Sequence, residues 1–170
     1  MIRIPSHLEK QKKFTTTKEE LIYFEAVVKQ RYENGDILAP VHLSKDNEDE
    51  LIEIFQYVHP DDWRNHYHAL LHGMNKQELM KDILSGRSMA TSSNVNKFYS
   101  SAIVGGIIPI ALGAAMALKN KKSENKVWCF IGDMTFETGV FHESYKYAKN
   151  FDLPIQFVVE DNNLSVHTPT

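Results

Sequence analysis

Two short apolar runs, Val127-Trp128-Cys129-Phe130-Ile131 and Ile155-Gln156-Phe157-Val158-Val159, bracket a segment of helical period in this chain. The first run is continuous rather than alternating, the pattern of a strand covered on both faces. Between the two, Phe136, Val140, Phe141, Ser144, Tyr145 and Ala148 trace one side of a helix. Strand, helix and strand in so short a stretch make a right-handed parallel βαβ unit the default arrangement. The fold class that follows is α/β with a parallel sheet.

Upstream the period is helical. Thr17 and Glu20 have the spacing of a capping box, and Leu21, Phe24, Val28 and Tyr32 follow at helical intervals until Gly35. Asn47 with Glu48, Asp49 and Glu50 marks a second start, with Leu51, Ile54, Phe55 and Val58 as its apolar face and His59-Pro60 as its stop. Asn75 and Glu78 open a third helix that closes at Gly86. Residues 1–36 therefore read as an N-terminal helical segment.

From Ala102 to Leu118 the chain is almost wholly apolar, close to the length of a membrane span. Gly105, Gly106, Pro109 and Gly113 interrupt it, so a helix packed on a sheet is the better reading. Lys119 to Asn125 then reads as a solvated loop. A net charge of -3, from 19 basic and 22 acidic residues, gives no footprint for nucleic acid. The single cysteine, Cys129, excludes an internal disulfide and fits a reducing, cytoplasmic setting. Met1 to Pro5 lacks the apolar run of a signal peptide. A length of 170 residues by itself suggests one domain.

In an open parallel sheet, ligands bind beyond the carboxyl ends of the strands. Gly132-Asp133-Met134-Thr135 and Glu160-Asp161-Asn162-Asn163-Leu164 both arrive there. A carboxylate and an amide oxygen are hard donors that suit magnesium, which commonly keeps substrate phosphates in its shell. Thr135 and Phe136 would start a helix whose free N–H groups favour an anion. From the residues alone, two readings stay open: a metal-bridged diphosphate, or plain turn chemistry of Gly-Asp and Asn-Asn.

Gly132-Asp133-Met134, followed after a spacer of 27 residues by Asn162-Asn163, resembles the thiamine-diphosphate fingerprint, usually Gly-Asp-Gly, a spacer of this length, then Asn-Asn. Val41-His42-Leu43, Trp63-Arg64-Asn65-His66 and Phe98 to Gly105 follow the order seen in one branch of that family. Together they resemble the alpha subunit of the decarboxylating component of 2-oxo-acid dehydrogenases, over roughly Ile37 to Thr170. The resemblance implies a thiamine-diphosphate-binding fold of the diphosphate-binding type over residues 37–170.

It also implies roles. Asp133 and Asn162 would ligate magnesium by side chain and Leu164 by its carbonyl. Met134 and Thr135 would offer N–H groups to the diphosphate, and Arg64 would pair with it through a planar guanidinium. Trp63, where the family has tyrosine, would stand in for the phenol. Ala102 and Val104 would line the aminopyrimidine through backbone groups. His42 and His66 fall where the family places histidines near the thiazolium and a 2-oxo acid substrate, as donors to developing charge. His68, His72 and His142 read as structural.

Two departures stand out. Met134 replaces the third residue of Gly-Asp-Gly, which requires its side chain to point away from the phosphate. The chain also ends at Thr170, directly after the metal loop, where family members continue. The expectation is a sheet that is incomplete relative to the family. In the family the glutamate that activates the aminopyrimidine comes from a partner beta-type subunit, and a lipoyl carrier protein takes the product. The chain is thus expected to hold the cofactor and to need a partner or second half for catalysis. Two rivals remain. One is the N-terminal part of a split transketolase-like enzyme, to which Gly139 to Ser144 and His66 to Leu71 are also similar. The other is a non-catalytic magnesium-binding interaction module.

Overall fold

The computed structural model describes residues 4, 6, 8–10, 16–44, 46–58, 62–63, 66–95, 97–161, 164–165 and 168–169. Its elements are, in order, α1 (Lys18–Glu33), α2 (Glu48–Phe55), β1 (Asp62–Trp63), α3 (His66–Leu71), α4 (Lys76–Leu84), β2 (Ser92–Ser93), β3 (Phe98–Tyr99) and α5 (Ile107–Asn120). They continue with β4 (Val127–Gly132), α6 (Asp133–Phe136), α7 (Gly139–Asn150), β5 (Ile155–Glu160), β6 (Leu164–Ser165) and β7 (Thr168–Pro169).

The helix starts read from sequence form as local chemistry dictates. At α1, Thr17 Oγ1 accepts the Glu20 N–H at 3.3 Å and the Glu20 carboxylate accepts the Thr17 N–H at 3.2 Å. At α4, Asn75 Oδ1 accepts from the Gln77 and Glu78 N–H groups. Such a cap contributes about 1 kcal/mol by satisfying donors that have no intrahelical partner. The Asn47 side chain makes no cap bond to α2.

The five-stranded sheet has the order β2-β3-β1-β4-β5. β1 runs parallel to β3 and β4, β4 runs parallel to β5, and β2 pairs antiparallel with β3. Registers run from Val127 opposite Ile155 to Gly132 opposite Glu160. β6 and β7 form a separate antiparallel pair. Among the described residues β5 is an edge strand.

Alternation along β4 creates two cores. Trp128 and Phe130 join Leu21, Phe24 and Val28 of α1 with the apolar faces of α2, α3 and α4. Val127, Cys129 and Ile131 instead meet Ile107, Ile108, Ala111 and Ala115 of α5 and Phe141 of α7. The sheet is therefore packed between helices on both faces. This is why β4 has no polar position.

Several elements differ from the sequence expectation. β1, β2 and β3 are two residues each and carry no readable period, so the sheet has more strands than the two apolar runs announce. The helix expected from Phe136 is two helices, with Glu137 and Thr138 between them. α6 starts at Asp133 rather than at Thr135. Lys119 and Asn120 belong to α5, whose cap N–H at Lys121 bonds back to Ala117. α5 is buried on one face only, with Ile110 and Met116 exposed. Tyr32, in helical register, is also exposed, and His59-Pro60 lies outside the described residues. Among the described residues no helix is long and apolar enough to cross a membrane.

Candidate cofactor site

The parallel pairing of β4 and β5 puts the segments that follow Gly132 and Glu160 at one sheet edge. Gly132 is the extended N-cap of α6, and Asp133 is its first residue. The Asp133 carboxylate is half-buried and accepts the Met134 N–H through Oδ1 at 2.8 Å. Met134 itself is exposed, so its side chain is accommodated outside the strand edge. α6 lies against β4, β5 and β6, which brings Leu164 close to the turn carrying Asp133, Met134 and Thr135. Trp63 closes β1 in register with Cys129. Arg64 and Asn162 lie outside the described residues. Among the described residues no group of three or more His, Cys, Asp and Glu could hold a metal.

Ala102, Ile103 and Val104 are exposed on the turn that precedes α5. Ser101 Oγ accepts the Ile103 N–H, and the Gly106 N–H bonds to the Ile103 carbonyl. Gly105 has φ of +72°, and a Cβ built there would meet Val140 Cγ1 of α7 at 2.7 Å. Both backbone and space demand glycine at this position. Gly105→Ala is expected to cost about 1–3 kcal/mol in urea unfolding, because a left-handed φ is added to a clash with α7. A wild-type midpoint in that variant would show that the turn is not fixed by this contact.

Buried and half-buried polar groups back the edge, and none is legible in the sequence as a site residue. His68 is fully buried, its ring against Phe55 at 5.4 Å and Phe130 at 4.7 Å, with Nε2 3.4 Å from Glu160 Oε1. Glu160 Oε2 accepts a hydrogen bond from Asn47 Nδ2 at 2.9 Å. Tyr67 donates to Glu48 at 3.0 Å, and burial together with the neighbouring carboxylates Glu25 and Glu48 raises its pKa. His72 packs between the rings of Phe55 and Phe98, and His142 lies exposed against Phe141.

The two histidines expected near substrate differ sharply. His42 is exposed. His66 is 2% exposed, with Nε2 3.0 Å from Ser88 Oγ and Nδ1 3.4 Å from Glu25 Oε1. Burial raises the Glu25 pKa above the usual 4.5, against the opposing influence of His66 and the Ser44 backbone, with Glu48 adding repulsion. The folded state therefore holds this proton more tightly than the unfolded chain. Stability from it is complete below pH 4.5 and falls as pH rises, levelling off above the folded pKa. Glu25→Gln should remove that slope, so that urea midpoints near neutrality exceed those of the parent. Parallel pH profiles for the two proteins would count against a buried proton at Glu25.

The dehydrogenase E1 component family matches residues 26–170. The chain belongs to this family. As an E1-family chain it is 28% identical over 165 residues to the alpha subunit of acetoin:2,6-dichlorophenolindophenol oxidoreductase from Bacillus subtilis (strain 168), covering 88% of this chain and 50% of that one. It is also 28% identical over 184 residues to the pyruvate dehydrogenase E1 component alpha subunit of Rickettsia felis, covering 94% of this chain and 56% of that one. A candidate thiamin diphosphate-dependent enzyme from Mycobacterium smegmatis, solved by X-ray methods, overlaps 69% of this chain and 20% of its own. There the TM-score is 0.45 and the identity 18%. The E1-family chain spans about half the length of the curated relatives it matches.

Proposed function

We propose that this chain is the alpha-type, thiamine-diphosphate- and magnesium-binding part of a 2-oxo-acid decarboxylating dehydrogenase. The observation that carries the proposal is Asp133 at the carboxyl end of β4, beside the segment leaving β5, inside the stretch matched by the E1 family. The donor set fits a hard cation. The half-buried Asp133 carboxylate stands at the edge, and among the described residues no cluster of imidazoles or thiolates joins it, so amide, carbonyl and phosphate oxygens would complete the shell.

In this reading Asp133 and Asn162 hold magnesium with the Leu164 carbonyl. The Met134 and Thr135 N–H groups and Arg64 hold the diphosphate, with Trp63 beside it. The Met134 N–H, now bonded to Asp133, would exchange that partner for phosphate when the carboxylate turns to the cation. Ala102 and Val104 lie on an exposed turn, accessible to the aminopyrimidine. His42, exposed, is the histidine that would meet a 2-oxo acid. His66, enclosed by Ser88 and Glu25, would orient the neighbouring Arg64 segment instead of touching substrate. When bound, the cofactor supplies a carbanion that adds to a carbonyl and an electron sink for decarboxylation.

The division into residues 1–36 and 37–170, and a cytoplasmic location, belong to the same proposal. So does a beta-type partner or second half that supplies the activating glutamate and a site for the lipoyl carrier. Calorimetric titration with thiamine diphosphate tests the reading on full-length protein purified with its associated subunits. Binding that needs magnesium and is lost with EDTA is expected. Equal affinity with and without the cation would overturn it.

A further inference from the structure

We infer that Asn47, Glu160 and His68 form a positioning unit that fixes the carboxyl end of β5 against the turn bearing Asp133. The inference rests on the cofactor reading above and extends it to residues that neither bind the cation nor touch the cofactor. Three polar residues were expected at helix starts, and two of them, Thr17 and Asn75, cap their own helices. Asn47 does not. Its amide donates instead to Glu160, 113 residues away in sequence, at 2.9 Å.

The other oxygen of Glu160 faces His68 Nε2 at 3.4 Å, and that imidazole is fully buried between Phe55 and Phe130. One carboxylate thus accepts from the residue before α2 and faces an imidazole of α3. Burying a charge and an imidazole is costly, and apolar side chains would serve mere cohesion as well. What the polar arrangement adds is direction. Glu160 is the last residue of β5 and stands opposite Gly132, the residue before Asp133. Fixing it sets the distance between the two segments that converge on the candidate metal site.

A donor–acceptor exchange separates position from general packing. Asn47→Asp keeps a good N-cap type at α2 but sets a carboxylate against Glu160. Adding Glu160→Gln gives back one amide and one carboxylate in reversed order, with the charge of the parent. The readout is manganese affinity in the presence of thiamine diphosphate, by electron paramagnetic resonance on full-length protein purified with its subunits. Urea midpoints are measured beside it. Asn47→Asp is expected to weaken manganese binding by about 10-fold or more, the effect of removing support from a metal ligand. The double variant should return to within about threefold, with midpoints of both variants close to the parent.

Unchanged or tighter binding in Asn47→Asp overturns the inference, as does a double variant that fails to recover. Asp133→Ala is run in parallel. If it alone loses manganese, the cofactor reading stands and only the positioning unit falls. If it binds as the parent does, the cofactor reading fails and the inference fails with it.

Discussion

Asp133→Ala is expected to lower the affinity for thiamine diphosphate with magnesium by more than about 100-fold. Groups that only support a metal ligand are worth about 10- to 100-fold, and a carboxylate that is itself a ligand should exceed that. Asp133 is the one carboxylate on the turn between β4 and α7 that begins a helix at the strand edge, so no neighbour repeats its position. The fold should tolerate the change. The bond from Asp133 to the Met134 N–H closes only the local turn, and losing it should cost about 1 kcal/mol. The decisive pattern is therefore a collapse of calorimetric affinity with a nearly unchanged urea midpoint. Parent-like binding would remove Asp133 from the metal, and a large loss of stability would make it a structural residue.

Phe130→Ala should give the opposite pattern, a loss of about 3–5 kcal/mol in urea unfolding. Phe130 is 1% exposed, and its ring meets Phe55 at 5.5 Å and His68 at 4.7 Å. Truncation leaves a void where β4 meets α2 and α3, and a close-packed core can refill it only in part. Against a typical domain stability of about 5–15 kcal/mol, that is a large share. Phe151→Ala, at an exposed site after α7, should stay within about 0.5 kcal/mol of the parent. Equal shifts in the two variants would mean that Phe130 is not a packed core residue of β4.

The two variants probe different halves of what the amino-acid order encodes. The βαβ unit was legible because a strand covered on both faces leaves a run of apolar residues with no gaps. The caps at Thr17 and Asn75 were legible because they close within one helical turn. β1, β2 and β3 were not, since two residues cannot display a period. α3 was equally silent: all six residues from His66 to Leu71 are buried, so no polar face reveals its phase. The boundary between α6 and α7 was missed because Phe136 and Val140 keep helical spacing across a break at Glu137 and Thr138.

For the candidate site the division is similar. Asp133 and the segment after Glu160 could be placed at one edge from strand parallelism alone. The exposure of Met134, which relieves its bulk at the third position of the fingerprint, depended on the course of the turn.

The sequence by itself determined the parallel strand pair, the starts of α1, α2 and α4 and the meeting of Gly132-Asp133 with the segment after Glu160, because each follows from local hydrogen bonding or period. Only the tertiary structure decided that His66 is enclosed by Glu25 and Ser88, and that Asn47 leaves its own helix for Glu160. Imidazoles and amides can serve on a surface or in a core with equal ease. Which they do depends on partners distant in sequence, and those are brought together only when the N-terminal helices pack on the sheet.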